Sequence, residues 1–122
     1  MHELSIAHSL VDLAGDAAAR AGVERVSVVH LRLGALAGVV RDALEFSFEV
    51  ASAGTPLAGA RLAIEAVPVR VFCPRCEAEA ELADVQQFRC PRCGTPTAQV
   101  LAGRELELVA LEYDEAAAPL GV

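Results

Sequence analysis

The chain has 122 residues, 54% of them apolar, and a formal net charge of −7; all ten of its basic residues are arginine. That length accommodates one compact body and a small appendage. Its acidity argues against a nucleic-acid module, the lack of lysine excludes a P-loop, and no apolar run is long enough to cross a bilayer.

The predicted elements begin with a helix. From Ala7 the apolar positions recur as Leu10, Val11, Ala14, Ala17, Ala18 and Ala21, and Gly22 follows as a left-handed stop. Residues 26–33 are rich in β-branched and aliphatic side chains and read as a largely buried strand that ends at Gly34, with a turn at Gly38. Asp42 and Glu45 have the capping-box spacing, and Leu44, Phe48 and Ala51 share one face of the helix they open. Gly54 and Pro56 end it. A second strand covers 61–67, with Leu62, Ile64 and Ala66 alternating against Arg61, Ala63 and Glu65. A third covers 105–113, with Leu106, Leu108 and Ala110 on one face. The alanine-rich stretch 116–118 reads as a frayed tail.

Between the last two strands stand all four cysteines, as two Cys-x-x-Cys pairs: Cys73 and Cys76, then Cys90 and Cys93, with thirteen residues between the pairs. Two tight turns that each offer two thiolates close a tetrahedron around zinc and leave no position for water, so the ion is structural. Pro74 and Pro91 fix a backbone angle inside each turn. Disulfides are the weaker reading. Glu3, Asp12 and Asp16 interrupt the N-terminal stretch, so it lacks a secretory h-region, and a cytoplasmic setting is expected. A redox dithiol would need one pair rather than two.

The expected fold is therefore α+β: a small three-stranded sheet with two helices, plus an inserted four-cysteine zinc-ribbon domain. The boundaries are 1–69 and 104–122 for the α/β body and 70–103 for the zinc domain. A segment so short needs the metal to fold. Residues 70–104 carry five arginines against four acids, and only Phe72 and Phe88 offer stacking surfaces there. A DNA- or RNA-binding ribbon is therefore the runner-up, behind protein recognition through an exposed loop between Glu77 and Gln87. No nucleophile, histidine and acid form an assignable catalytic set, so an enzyme is the weakest reading.

Histidine at position two raises a second metal chemistry. The terminal amine of Met1, the backbone nitrogen and imidazole of His2 and the backbone nitrogen of Glu3 can form a square of nitrogens, which suits Ni(II) or Cu(II). By itself this is a short motif at a chain end. His8, four residues before Asp12, reads as half of a surface helix pair, and His30 as a half-buried, hydrogen-bonded strand residue.

The opening Met1-His2-Glu3-Leu4-Ser5, the segments Leu33-Gly34-Ala35-Leu36-Ala37-Gly38-Val39 and Asp42-Ala43-Leu44-Glu45-Phe46-Ser47-Phe48-Glu49, both cysteine pairs and Gly103-Arg104-Glu105-Leu106 resemble the HypA/HybF family. The resemblance runs from Met1 to about Glu112. It implies a nickel metallochaperone for maturation of [NiFe]-hydrogenase. Met1, His2 and the Glu3 backbone would be the nickel ligands, with Asp42 adding or neighbouring one, and Cys73, Cys76, Cys90 and Cys93 would hold structural zinc. The implied partners are a nickel-delivery GTPase accessory protein and the hydrogenase large-subunit precursor, and the chain would be a monomer or homodimer; some members serve urease. Departures fall at Ala37, Arg41 and Glu77, where the family often has serine, proline and glycine. No histidine follows His30, so histidine exchange at the zinc site is not expected.

Overall fold

The computed structural model describes residues 3–83 and 85–113. Among them are two helices and six strands: α1 (Glu3–Arg20), β1 (Val28–Gly34), α2 (Arg41–Ser52), β2 (Arg61–Val67), β3 (Val69–Cys73), β4 (Ala78–Leu82), β5 (Gln99–Ala102) and β6 (Leu106–Glu112). The α+β reading of the sequence holds, and Met1, His2 and the alanine-rich tail lie outside the described residues.

Two compact units divide the chain. The first takes the described parts of Met1–Leu31, Val39–Ile64 and Leu108–Val122; the second takes Arg32–Gly38 and Glu65–Glu107. The second unit thus contains 70–103 and reaches beyond it on both sides.

In the first unit α1 buries Ala7, Leu10, Val11, Ala14 and Ala18 of the face that the spacing predicted, while Ala17 is half-buried and Ala21, past the helix end, is exposed. It begins at Glu3, a turn earlier than the apolar pattern, with that acid in the first turn. Gly22, at φ +72°, ends it in a Schellman motif: its N–H bonds Ala19 O at 3.1 Å while Val23 N–H bonds Ala18 O at 2.9 Å. From α2, Leu44, Phe48 and Ala51 join the same core.

The predicted capping box does not form. Val40, at φ −83° and ψ 117°, is the N-cap, so Asp42 falls inside the first turn and no side chain caps from that position. Glu45 instead pairs with Arg41 at 3.5 Å across one turn.

Strands β1, β2 and β6 form one sheet in the order β2-β1-β6. The bonds Ser27 N–H to Glu112 O and Gly34 N–H to Glu105 O make β1 and β6 antiparallel. Arg61 N–H to Ser27 O and Ala35 N–H to Val67 O run in one sense, so β1 and β2 are parallel, with α2 in the crossover that parallel strands require.

Along β1, Val29, Leu31 and Leu33 are buried while Val28, His30 and Arg32 are half-buried. Alternation fails in two predicted places. In β2, Ala66 is exposed and Val67 buried. In β6, Leu106 and Ala110 are exposed, whereas Leu108 and Leu111 pack on the core. Both are only half-buried, on an edge strand of the sheet.

The second sheet, β4-β3-β5, is built on β3, whose Val69, Val71 and Cys73 are buried in alternation. Part of the expected 77–87 loop is strand: β4 pairs antiparallel with β3 from Val69↔Leu82 to Cys73↔Ala78 and buries Ala80 and Leu82. Outward, Arg70 meets Glu79 at 3.3 Å and Glu81 at 3.9 Å, the diagonal and direct cross-strand neighbours.

Also in this unit, Gly34 approaches Gly103 so closely that a Cβ on Gly34 would sit 2.1 Å from the Gly103 carbonyl oxygen. Leu36 N–H bonds that oxygen at 2.6 Å, and Gly103 N–H bonds the Glu105 carboxylate at 2.7 Å. Two sequence segments that look unrelated are halves of one backbone contact.

Candidate metal centre

Each cysteine pair sits at a hairpin end. Cys73 is the last residue of β3 and faces Ala78 of β4, so Cys73 to Cys76 begins the turn that returns the chain. The second pair is framed by the bridge Arg89↔Pro96 and by Cys90 N–H to Thr95 O at 2.9 Å. A left-handed residue follows each pair: Gly94 at φ +75° and Glu77 at φ +51°. Glycine takes that conformation freely, and glutamate pays in backbone strain.

The two turns bring all four Sγ atoms within 4.8 Å of one another. Cys73 and Cys93 sulfurs are 3.6 Å apart, and those of Cys76 and Cys90 are 3.9 Å apart. A tetrahedron with metal–sulfur bonds of about 2.3 Å has edges of about 3.8 Å. All four are free cysteines. The donor set fits a tetrahedral thiolate-preferring ion, and four ligands fill its coordination. Cys73 and Cys90 are buried, Cys93 is intermediate and Cys76 exposed.

Neighbouring groups tune the sulfurs. The Thr95 hydroxyl, and then the Thr95 backbone N–H, hold Cys93 down at about 6, with Thr95 Oγ1 3.1 Å from the sulfur. Cys90 is lowered by the backbone N–H groups of Arg92 and Cys93. Cys76, hydrogen-bonded to Cys93 and Cys73, is pushed up to about 11. A divalent cation removes all four thiol protons when it coordinates. Cys76 N–H also points at Cys73 Sγ, at 3.4 Å.

Arg92 ties one turn to the other. Its Nη2 donates to Glu79 O at 3.2 Å, and its pKa is raised by hydrogen bonding to the Cys76 sulfur. Neither Thr95 nor Arg92 was singled out by spacing. The Cys-Pro-Arg-Cys repeat placed an arginine in each turn, the one available signal.

Of the proposed nickel set only Glu3 is described. Its carboxylate accepts a hydrogen bond from Val40 N–H at 3.0 Å. Asp42 lies in the first turn of α2, exposed. His8 and Asp12 are both exposed, and no ion pair joins them as their spacing had predicted. His30 is half-buried and its Nε2 bonds the Glu112 carboxylate. Among the described residues the four cysteines are the one cluster able to hold a metal. No described helix is long and apolar enough to cross a membrane.

Against known families, residues 1–113 match the HypA model, described as a hydrogenase/urease nickel incorporation metallochaperone. The chain belongs to the HypA family. The hydrogenase maturation factor HypA of Chloroflexus aurantiacus is 68% identical over 112 residues, covering 92% of this chain and 98% of the relative. That of Roseiflexus sp. is 63% identical over 115 residues, covering 94% of each. The solution structure of the Ni metallochaperone HypA from Helicobacter pylori superimposes with a TM-score of 0.64 at 22% identity, over 92% of this chain and 97% of that one; it supports the fold. HypA proteins are thus described as metallochaperones and maturation factors rather than as catalysts.

Proposed function

We propose that this chain is a nickel carrier that binds Ni(II) at its N-terminus and delivers it during maturation of [NiFe]-hydrogenase. The observation that carries the reading is the family match across residues 1–113, which takes in the Met1-His2-Glu3 opening as well as the cysteine pairs. The Met1 amine, the His2 amide and imidazole and the Glu3 backbone nitrogen would supply four donors in one plane. Two of them are amides that must lose a proton, so affinity falls as pH falls. A site on a chain end can surrender its donors one at a time to an incoming ligand, which is what a carrier needs.

Cys73, Cys76, Cys90 and Cys93 would hold Zn2+ as a structural ion, whose chemistry is to supply the folding free energy of its unit, on the order of 10 kcal/mol. The spacing of the sulfurs supports that assignment. The partners in this reading are a nickel-delivery GTPase and the large-subunit precursor, in the cytoplasm. The chain performs no catalysis; any nucleotide hydrolysis belongs to the GTPase.

The test is complementation. A strain lacking its own carrier should regain hydrogenase activity with the wild-type chain and fail to regain it with His2→Ala in nickel-limited medium. Equal rescue by both would overturn the N-terminal assignment. Cys90→Ser should lose zinc and the structure of the second unit; normal circular dichroism with full zinc content would contradict a structural ion.

A further inference from the structure

The outer side of α2 is built like a docking surface. Its core face is Leu44, Phe48 and Ala51, yet Phe46 is 68% exposed and Val50, one turn later, is 51% exposed. Residues four apart on a helix are neighbours, so the two side chains form one apolar stripe, with half-buried Ala43 one turn before Phe46. A stripe of this kind on the solvent side of a helix that already has a full core face does nothing for the fold.

Charge says what covers it. Phe46 lies between Asp42, four residues before it, and Glu49, three residues after it, and neither acid has an ion pair among the described residues. Glu45 is next around the helix and is already matched by Arg41. Two unmatched carboxylates beside an exposed aromatic ring select a cationic group, which gains from both the acids and the ring face. Glu45 and Glu49 also line an adjoining groove of about 350 Å³ with Arg61, and no ion pair among the described residues joins Arg61 to either acid.

We infer that the Asp42–Phe46–Glu49–Val50 face of α2 docks a basic amphipathic helix of a partner protein. Apolar residues of that helix cover Phe46 and Val50 while its arginine or lysine side chains reach Asp42 and Glu49. A second copy of this chain is the wrong occupant: two α2 helices packed antiparallel on this stripe would set each acidic flank against its twin. The inference rests on the carrier reading in that a carrier must meet a partner; because Asp42 is also the residue that the family resemblance sets beside the nickel ligands, the variants tested are at Phe46 and Glu49.

The probe is a synthetic helix of about 18 residues with leucines at i, i+3, i+4 and i+7 and flanking arginines, beside the same peptide with glutamates in place of arginine. Titrated into the labelled full chain, the arginine peptide should move the backbone amide resonances of 42–50, with an affinity that falls as salt rises. Phe46→Ser should weaken it about tenfold. Glu49→Lys should weaken it too, while Glu24→Lys, elsewhere on the surface, should not. Phe46→Ser must keep wild-type nickel binding, so loss of docking and loss of cargo are read separately.

Equal binding of the glutamate peptide, shifts confined to other segments, or an unchanged affinity in Phe46→Ser would overturn the inference. A dimer in sedimentation that Phe46→Ser dissolves would overturn it in favour of self-association.

Discussion

The carboxylate of Glu3 accepts a hydrogen bond from the backbone N–H of Val40, the N-cap of α2, at 3.0 Å. In a capping box that N–H is taken by a glutamate inside the same helix; here the acceptor comes from the first turn of α1, so the two helix starts are tied together. A residue proposed to give nickel its backbone nitrogen thus has its side chain engaged in holding α2.

Glu3→Ala should cost about 1 kcal/mol of stability, the usual scale for losing a helix cap. Glu3→Gln keeps an acceptor and should cost less than half of that. Denaturant midpoints of the three proteins decide it. If Glu3→Gln is stable and binds nickel but fails to mature hydrogenase, the carboxylate has a partner role as well; normal maturation would leave it with capping alone.

Glu77 is a built-in strain. It holds φ +51° where the equivalent residue of the other cysteine turn is Gly94. Glu77→Gly should stabilise the chain by about 0.5–1 kcal/mol, the relief of a left-handed side chain less the extra entropy of unfolded glycine. Glu77→Ala, with a Cβ in the same conformation, should gain nothing. Thermal melts of the zinc-loaded proteins separate the two.

Glu105 gives a pH signature. Its carboxyl is held below the ordinary glutamate value, first by its own backbone N–H, then by that of Gly103, with Arg32 adding a smaller attraction. A depressed folded value stabilises the chain fully above the ordinary glutamate pKa of about 4.3 and is lost as pH falls through the lowered value. The stability difference between wild type and Glu105→Gln should therefore be flat from neutral pH to about 5 and shrink below that. A difference that grows on acidification would contradict the assignment.

Much of this was legible in the sequence because it rests on short-range rules. Period-3.6 spacing found α1, β-branched and aliphatic richness found β1, although it is buried in alternation rather than throughout, and the Cys-x-x-Cys spacing found the four sulfurs that lie within 4.8 Å. What escaped depends on residues distant in the chain. The Asp42–Glu45 box fails because α2 starts earlier, with Val40 as N-cap, and the Val40 N–H finds its acceptor in Glu3, 37 positions away in the chain. The 77–87 stretch read as loop because alanine and glutamate, poor strand formers, make up most of β4 despite their alternation, and its pairing with Arg70 is visible only once β3 lies beside it. Gly34 and Gly103 could be marked as turn residues, but not as each other's reason.

The central claim is that nickel is held by the first three residues, and calorimetric titration of Ni(II) into tag-free protein tests it most directly. Wild type should bind one nickel, while His2→Ala and a form with one extra N-terminal residue should lose it and keep their zinc. If all three bind nickel alike, the cargo site lies elsewhere and the N-terminal chelate is wrong.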